Sequence, residues 1–408
     1  MRVLHVISSM DPKTGGVCEA VRIFANGLEN LGITNEVASV DDVQFNVDDR
    51  YISHPLGPAK NTWYYSKKLL PWLIDNISRF DAVIVHGLWL YHGYAVYQAF
   101  KKLKKQSTQI KFPNLFVMPH GMLDPYFQRA KGRRLKAIRN VLYWALIEKN
   151  LIHQANEILF TCETELILAR EPFWPYKPKL ETIVGLGVIA PPAYNTKMAD
   201  VFNTTIPELS NSPYFLFLSR IHEKKGTDML IAAYERLIEE YESKKPNQQG
   251  VKTLPKLIIA GPGLDSPYGI RMHQMVSSSK TLNKMVFFPG MLTGAAKWGA
   301  FYGCEAFVLP SHQENFGIAV VEALTCNKAV LISNQVNIWR EIHDGGAAIV
   351  GDDTNDGTYT MFYNWSRLSS EDKEKMGDSA RHCYEKHFKV NVVVNRFHKI
   401  LTNKTKAQ

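Results

Sequence analysis

The stretch of sequence that decides the fold is AFVLPSHQENFGIAVVE, residues 306–322. Its apolar start, Ala306–Leu309, is typical of a buried parallel strand, and Gly317–Leu324 is predicted to be the helix that follows. Glu314 and Glu322 therefore flank the start of a helix at the carboxyl edge of a sheet, where open α/β sheets bind ligands. A helix amino terminus suits a phosphate, and a carboxylate accepts hydrogen bonds from vicinal hydroxyls. The stretch predicts a site for a sugar joined to a phosphate.

Strand and helix signals alternate along the rest of the chain, which predicts an α/β fold with doubly wound sheets. Short apolar runs mark the expected strands in both halves. They are Val3–Ile7, Glu36–Val40, Ala82–His86, Leu115–Met118, Glu157–Phe160, Tyr214–Leu218, Lys256–Ala260, Val286–Phe288, Ala306–Leu309 and Ala329–Ile332.

The chain has 408 residues, too many for one ordinary domain. A stretch rich in Pro, Asn, Thr and Ser without periodicity marks the boundary. We expect a first domain at residues 1–190, a linker at 191–212, a second domain at 213–385 and a C-terminal helix and tail at 386–408. The tail has helical apolar spacing and is a candidate to cross back to the first domain.

Several classes of protein are disfavoured by composition. No apolar run approaches the roughly 18 residues of a transmembrane helix, and the first apolar run is too short for a signal peptide. The five cysteines lack Cys-x-x-Cys spacing, which argues against a disulfide frame or a zinc site. These features predict a cytoplasmic protein. The acidic pairs Asp41-Asp42 and Asp352-Asp353 are explained by solvated turns, so no essential metal is expected.

The net charge of +9 is concentrated in one segment. Residues 97–150 hold twelve Lys or Arg against two acidic residues, and the rest of the chain is nearly neutral. A basic amphipathic helix with Trp and Tyr, as in Gln128–Asn150, can lie on an anionic membrane surface. Nucleic-acid binding and an ordinary solvated helix face are the alternatives.

Two loops at predicted strand ends suit phosphate. Gly15 and Gly16 lie between the first strand and the first helix, where glycines let the backbone approach an anion, although an ordinary turn explains them equally well. Arg220 and Lys225 lie in the loop after the first strand of the second domain. Arg offers a planar fork and Lys a point charge for pyrophosphate oxygens. The alternative is a solvated basic loop.

Two further turns are weaker signals. Gly261 and Gly263 would let a ligand lie close to the backbone, but turn chemistry alone can require them. His120 follows the strand Leu115–Met118 and could hydrogen-bond a sugar hydroxyl. His86 has the same placement one strand earlier and competes with it. A buried structural histidine is the alternative for both.

These motifs, in this order, resemble the retaining GT-B glycosyltransferases of family 4 (group 1), in particular members that build bacterial surface polysaccharides. The run Glu314-Asn315-Phe316-Gly317, with Glu322 eight residues after Glu314, is the specific part of the resemblance. It implies two Rossmann-like domains facing across a cleft. It also implies same-face transfer in which the leaving phosphate takes the acceptor's proton, with no separate cofactor.

The resemblance assigns roles to the residues. Glu322 would bind the ribose diol, and Glu314 the hydroxyls of the donor sugar. Arg220 and Lys225 would bind and stabilise the leaving diphosphate. The remaining implied contacts are the backbone N–H groups of Asn315, Phe316 and Gly317 with the sugar, Gly16 with the phosphate, His120 with the sugar, and Met291-Leu292 with the base.

The expected function is transfer of a sugar from a UDP- or GDP-sugar to a glycan or polyprenyl-linked glycan. The basic segment would hold the enzyme peripherally at the inner face of the plasma membrane. One alternative is a cytosolic glycosyltransferase that makes a soluble glycoside. Another is a nucleic-acid-binding protein that uses residues 97–150, but it leaves the Glu314/Glu322 pair unexplained, so no nucleic-acid partner is expected. A hexose-phosphate epimerase on the same fold would turn over without an acceptor.

Overall fold

The computed structural model of the chain describes residues 1–45, 49–106, 112–129, 134–209, 212–244 and 254–405. The chain forms two compact units. The first consists of Met1–Gly187 with Val390–Gln408, and the second is Val188–Lys389.

The first unit is built on a seven-stranded parallel sheet in the order β3-β2-β1-β4-β5-β6-β7. Val3 lies opposite both Asn35 and Ala82, which places β1 at the point where the strand order reverses. The strands are β1 (Arg2–Val6), β2 (Thr34–Ser39), β3 (Ile52–Pro55), β4 (Ala82–His86), β5 (Asn114–Met118), β6 (Glu157–Phe160) and β7 (Glu181–Ile183).

Helices follow most of these strands, because parallel pairing needs crossover connections. They are α1 (Gly16–Glu29), α2 (Leu69–Asn76), α3 (Tyr91–Gln106), α4 (Tyr126–Arg129), α5 (Arg134–Tyr143), α6 (Lys149–Gln154) and α7 (Glu163–Ala169). A π-helical turn, Trp144–Glu148, joins α5 to α6.

The second unit has a six-stranded parallel sheet in the order β10-β9-β8-β11-β12-β13. Its strands are β8 (Tyr214–Leu218), β9 (Lys256–Ala260), β10 (Val286–Gly290), β11 (Ala306–Leu309), β12 (Val330–Ser333) and β13 (Ala348–Gly351). Its helices are α8 (Thr196–Thr205), α9 (Thr227–Lys244), α10 (Pro267–Ser278), α11 (Gly294–Gly303), α12 (Ile318–Thr325), α13 (Trp339–Asp344), α14 (Asn355–Arg367) and α15 (Ser370–Cys383).

The last helix, α16 (Val390–Thr405), belongs to the first unit. The ring of Phe397 lies 4.6 Å from that of Phe24 in α1. Arg396 Nη1 donates a hydrogen bond to the carbonyl of Val184 at 3.2 Å. The apolar spacing read in the tail therefore forms the face that packs on α1.

The structure corrects the prediction at residues 191–212. Part of this expected linker is helix α8, whose Met198 and Phe202 are buried. Helix α8 packs closely against α11 at Gly299, where an added Cβ would lie 2.1 Å from the Met198 carbonyl oxygen. A helix with only a few apolar residues is stable here because tertiary packing outweighs weak periodicity.

Every strand predicted from an apolar run is present, and the part of the chain that the structure describes adds three strands that were not predicted, β3, β7 and β13. All three lie at sheet edges. Their residues are mostly half-buried, so they lack the continuous apolar run of a strand covered on both faces.

All five cysteines are buried free thiols. Within the described ranges, no helix combines the length and the hydropathy needed to cross a membrane. No cluster of His, Cys, Asp and Glu able to hold a metal ion occurs among the same residues.

Candidate active site

Two loops meet at the carboxyl edge of the second sheet. The loop after β8 ends at Gly226, whose backbone is left-handed with φ 67°. A Cβ at this position would lie 2.3 Å from the Pro310 carbonyl oxygen, so only glycine permits the approach. The His312 N–H donates to the Lys224 carbonyl at 2.9 Å. The loop after β8 is therefore held against the loop after β11.

This packing brings Lys225 and Glu314 together. Lys225 is only 8% exposed, and its Nζ donates to Glu314 Oε2 in an ion pair. Burial, followed by repulsion from Lys224 and Arg220, lowers the pKa of Lys225 to about 7. The Glu314 carboxylate acts in the opposite direction, because an adjacent negative charge favours the ammonium form. Two residues predicted for one site are thus in contact.

Arg220 lies in the same loop with an exposed side chain. Its neighbours fix the backbone: Ser219 N–H donates to the Ala260 carbonyl at 3.0 Å, and Ile221 N–H donates to the Pro262 carbonyl at 2.8 Å. The guanidinium lies close enough to Lys225 to contribute to lowering its pKa. Both cations thus belong to one positively charged loop.

Gly261 and Gly263 have a structural explanation. Their φ values are 140° and 107°. A Cβ on Gly261 would lie 1.9 Å from the Ser219 carbonyl oxygen, and one on Gly263 would lie 2.7 Å from that of Ile221. These glycines let the turn after β9 pack on the loop that carries Arg220. Turn chemistry therefore accounts for them, and any part in ligand binding stays a prediction.

The start of α12 is fixed by backbone contacts on both sides of Glu314. The Glu314 N–H donates to the Gln335 carbonyl, and its own carbonyl accepts from Asn337 N–H, each at 2.9 Å. Gly317 caps the helix in the left-handed region with φ 77°. Asn315 is half-buried, whereas the buried ring of Phe316 packs edge-on against that of Phe388. Only the backbone of Phe316 is left to meet a ligand.

Glu322 has a partner that the sequence did not indicate. Lys297 Nζ, on α11, donates to Glu322 Oε1 at 2.5 Å. The two helices flank β11, so residues far apart in sequence become neighbours. No local spacing could have revealed Lys297, since its pairing depends on how two separate helices pack.

The turn after β10 splits the predicted Met291-Leu292 pair. Met291 is 70% exposed, while Leu292 is buried. The turn itself passes through Gly290, which has φ 77°. Of the pair, Met291 alone offers its side chain at the surface.

In the first unit, Gly15 and Gly16 lie at the start of α1. Gly15 is the N-cap with φ 98°, and Gly16 is the first helical residue. Both are exposed, and a Cβ added to Gly15 would meet no atom within 4 Å. The positive φ, rather than a close contact within the unit, is what requires glycine at position 15.

His120 follows β5 and has a left-handed backbone with φ 52°. Its half-buried ring forms a hydrogen bond between Nε2 and His86 Nδ1 at 3.0 Å. Burial lowers the pKa of His120 to about 3, so the ring is neutral at pH 7. His86 is 1% exposed and lies behind His120. Of the two competing histidines, only His120 can meet a ligand from solvent.

Residues 134–148 of the basic segment form a helix whose apolar side chains face outward, and we call it the inverted helix. Its buried positions are Asn140, Trp144 and Glu148. Its exposed positions include the apolar side chains of Leu135, Ile138, Val141, Leu142 and Leu146. The predicted basic residues Lys131 and Arg133 lie outside the described residues, whereas Arg134, Lys136 and Arg139 are exposed. This helix turns its apolar face outward.

Comparison with protein families finds a match in the second unit. Residues 203–382 match the family described as glycosyl transferases group 1. This range contains the Arg220 loop, Lys297, Glu314 and Glu322. The match therefore lies within the second unit.

The relatives with known names match only part of this chain at low identity. The serotype-specific mannosyltransferase WbdA of Escherichia coli is 30% identical over 121 residues, 30% of this chain and 14% of WbdA. A D-inositol 3-phosphate glycosyltransferase of Streptomyces bingchenggensis is 25% identical over 177 residues, 42% of this chain and 36% of that protein. The matches thus span well under two thirds of either relative.

The fold is shared over the whole length with solved structures. HepE from Anabaena, solved in complex with UDP and glucose, matches with a TM-score of 0.72 and 14% identity, covering 99% of this chain and 100% of HepE. Together with the two parallel sheets, this match establishes the GT-B fold predicted from the sequence.

Proposed function

We propose that this protein is a retaining glycosyltransferase of the family 4 type. It moves a sugar from a nucleotide-sugar donor to a glycan or polyprenyl-linked glycan during the synthesis of a surface polysaccharide. The observation that carries the proposal is the contact between Lys225 and Glu314 beside Arg220, within a glycosyl transferases group 1 domain. The proposal needs no metal.

The positive loop supplies the chemistry of bond cleavage. Breaking the bond between sugar and phosphate builds negative charge on the leaving diphosphate, and preorganised cations stabilise that charge. Arg220 and Lys225 are the cations proposed for this role. Because burial holds the pKa of Lys225 at about 7, an arriving diphosphate would favour its protonated form. Glu314, relieved of part of this ion pair, would accept hydrogen bonds from sugar hydroxyls.

The second carboxylate suits the nucleoside. Glu322 is half-buried and would accept both hydrogen bonds of a ribose diol. Lys297, at 2.5 Å from Glu322, favours the ionised carboxylate, the form that accepts from two hydroxyls. The backbone near Met291 and Leu292 is proposed to contact the base, and the N–H groups of residues 315–317 to contact the sugar.

The donor is proposed to be a UDP- or GDP-sugar. HepE was solved with UDP and glucose bound, which supports UDP, whereas WbdA is a mannosyltransferase. The name of the second relative, a D-inositol 3-phosphate glycosyltransferase, favours the alternative of a small soluble acceptor. Gly15, Gly16 and His120 belong to the first unit, and their parts in donor binding stay predictions.

The reaction is tested by incubating the protein with UDP-glucose and GDP-mannose, with and without lipid-linked saccharides extracted from bacterial membranes. We expect nucleotide release that increases with acceptor and a product that keeps the anomeric configuration of the donor by NMR. An inverted product would contradict retention. Turnover of hexose phosphates without any acceptor would favour an epimerase instead.

The inverted helix supports an anionic membrane as the partner. Burying an apolar side chain contributes roughly 1.5–3 kcal/mol, so an outward-facing set of five favours a site with an apolar interior. Arg134, Lys136 and Arg139 on the same helix would meet anionic headgroups. Peripheral binding at the inner face of the plasma membrane would bring the enzyme to a lipid-linked acceptor.

Vesicle flotation tests this partner. The wild type should float with vesicles containing phosphatidylglycerol and not with pure phosphatidylcholine. The triple variant Leu135→Gln, Leu142→Gln, Leu146→Gln should lose binding, while Ile167→Gln, at an exposed apolar position on α7, should keep it. No flotation of the wild type would end the membrane proposal and favour a soluble acceptor. Submicromolar binding to DNA at physiological salt would revive the nucleic-acid alternative.

A further inference from the structure

Three neighbouring strands of the first unit place three histidines in one hydrogen-bonded chain. His5 lies in β1, His86 ends β4, and His120 follows β5. His5 Nδ1 is 2.9 Å from His86 Nε2, and His86 Nδ1 is 3.0 Å from His120 Nε2. At the other end, His5 Nε2 is 3.1 Å from Asn35 Oδ1 in β2. The chain thus runs from a buried amide to the half-buried ring of His120.

The amide of Asn35 sets the direction of this chain. Its Nδ2 donates to the Ile33 carbonyl at 2.7 Å, so its Oδ1 must be the atom that faces His5. An oxygen can only accept, so His5 carries its proton on Nε2. Flipping the amide would bring two oxygens together at Ile33.

The direction then passes from ring to ring. Burial lowers the pKa of His5 to about 4, that of His86 well below its usual value and that of His120 to about 3, so each ring is neutral at pH 7. A neutral imidazole has one N–H and one lone pair. His5 Nδ1 therefore accepts from His86 Nε2–H, and His86 Nδ1 accepts from His120 Nε2–H. What His120 has left is the lone pair on Nδ1.

The backbone around His120 is held as firmly as its ring. His120 and Gly121 have φ values of 52° and 78°, and the left-handed conformation is unfavourable for histidine. Glu165, which is buried, accepts the Gly121 N–H on Oε1 at 2.5 Å and the Thr161 N–H on Oε2 at 2.7 Å. Such strain persists only where the surroundings impose it, and it clusters at ligand sites.

We propose that Asn35, His5 and His86 are positioning residues that hold His120 as an obligatory hydrogen-bond acceptor at Nδ1. The group that His120 takes must then be a donor, such as a sugar hydroxyl, and an anionic phosphate oxygen is excluded. The choice of a sugar deepens the proposed function and rests on it. The fixed tautomer does not rest on it, so the two can fail separately.

The tautomer is measured by long-range ¹H–¹⁵N correlation on ¹⁵N-histidine-labelled protein at pH 7.5, with His120→Gln used to assign the signals. We expect the His120 proton on Nε2 in the wild type. His86→Phe should give a mixed or reversed tautomer, whereas His86→Gln should restore Nε2–H, because its amide can accept from His120 and donate to His5.

The matched control is His92→Phe. His92 is equally buried and donates Nε2–H to the His86 carbonyl at 2.9 Å, but its ring is not part of the chain. It should leave the His120 signals unchanged. A wild-type His120 protonated on Nδ1, or a His86→Phe variant that keeps the Nε2–H form, would overturn the proposal. If His86→Phe does not fold, the proposal is judged from the wild-type spectrum and from Asn35→Leu, which should also give a mixed or reversed His120 tautomer.

The ligand class is measured as the affinity for UDP-glucose and GDP-mannose relative to UDP and GDP. His86→Phe should weaken the nucleotide sugars about three- to tenfold, the scale of one hydrogen bond, without changing the free nucleotides. His86→Gln should recover most of this loss. Equal affinities in all variants would overturn the hydroxyl assignment. No binding of any nucleotide by the wild type would instead count against the proposed function. The NMR spectra would still test the fixed tautomer of the histidine chain.

Discussion

The carboxyl edge of the second sheet carries charged side chains, whereas that of the first sheet carries neutral histidines. The second unit places Lys225 against Glu314 and Lys297 against Glu322, with Arg220 exposed nearby. The first unit places neutral histidines in a chain and presents a single ring at its end. Charges suit a diphosphate and a carboxylate-bound diol, whereas a neutral acceptor suits a hydroxyl. The same βα architecture can thus serve two kinds of ligand group.

The contrast is sharpest for the cations of the second unit. Replacing Lys225 or Arg220 with Ala should lower turnover of the nucleotide sugar at least about a hundredfold, the usual effect of losing one group that stabilises transition-state charge. Lys224→Ala, in the same loop, is the matched control and should have a much smaller effect. Near-normal rates in both Lys225→Ala and Arg220→Ala would remove this loop from the site.

The two carboxylates should differ in what they bind. Glu322→Ala should weaken binding of the free nucleotide diphosphate by roughly tenfold or more, because hydrogen bonds to a charged group contribute about 1.5–3 kcal/mol. Glu314→Ala should affect the free nucleotide less, since its proposed partner is the sugar. Isothermal titration with UDP and GDP measures both variants. The reverse order would mean that the two roles are exchanged.

The affinity for nucleotide should depend on pH through Lys225. The pKa of this residue is about 7 in the free protein, and a bound diphosphate would raise it. Binding then takes up a proton above pH 7, so affinity should fall as pH rises, by at most about tenfold per unit. Lys225→Arg keeps its charge across this range and should flatten the curve. A steep wild-type curve that survives in Lys225→Arg would assign the titration elsewhere.

The first unit keeps even a carboxyl group neutral, which predicts an effect on stability rather than on ligand binding. Burial raises the pKa of Glu148 to about 8, although the hydrogen bond from Trp89 N–H opposes the shift. The folded state therefore holds a proton that the unfolded state loses above its lower pKa. Stability should fall as pH rises from about 4.5 to 8, by up to about 1.4 kcal/mol per unit.

Glu148→Gln tests this assignment by thermal unfolding at pH 5 and pH 8. The variant stays neutral and can still accept from Trp89 N–H, so it should lose this part of the pH dependence. Its unfolding temperature should lie close to that of the wild type at pH 5 and exceed it at pH 8. A variant that is less stable only at pH 8 would show that Glu148 is ionised in the folded protein.

The sequence predicted the central strands well and the edges poorly. Central strands such as β4 and β11 are buried on both faces, so burial itself produces the apolar run that identifies them. At the edges, half-exposed positions remove that signal. Helix α8 was missed for a related reason, because its stability comes from packing on α11 rather than from its own pattern.

In the candidate site too, residues marked by local sequence could be predicted, whereas those that depend on tertiary packing could not. Glu314 and Gly317 could be found because a strand, a turn and a helix start lie within one short stretch. Lys297 could not be found, since its pairing with Glu322 depends on the packing of α11 beside α12. Only part of the histidine chain could be predicted from the sequence. His86 and His120 mark strand ends, but their order and direction depend on strand neighbours and on the amide of Asn35.

The most direct test of the central claim is thermal stabilisation by UDP, GDP, ADP, CMP and TDP, with Glu322→Ala alongside the wild type. A donor site in the second unit predicts that one nucleotide class raises the unfolding temperature of the wild type and has little effect on the variant. That class would also identify the nucleotide of the donor. Absence of a shift with every nucleotide would contradict the account and make the basic, inverted helix of the first unit the main functional surface.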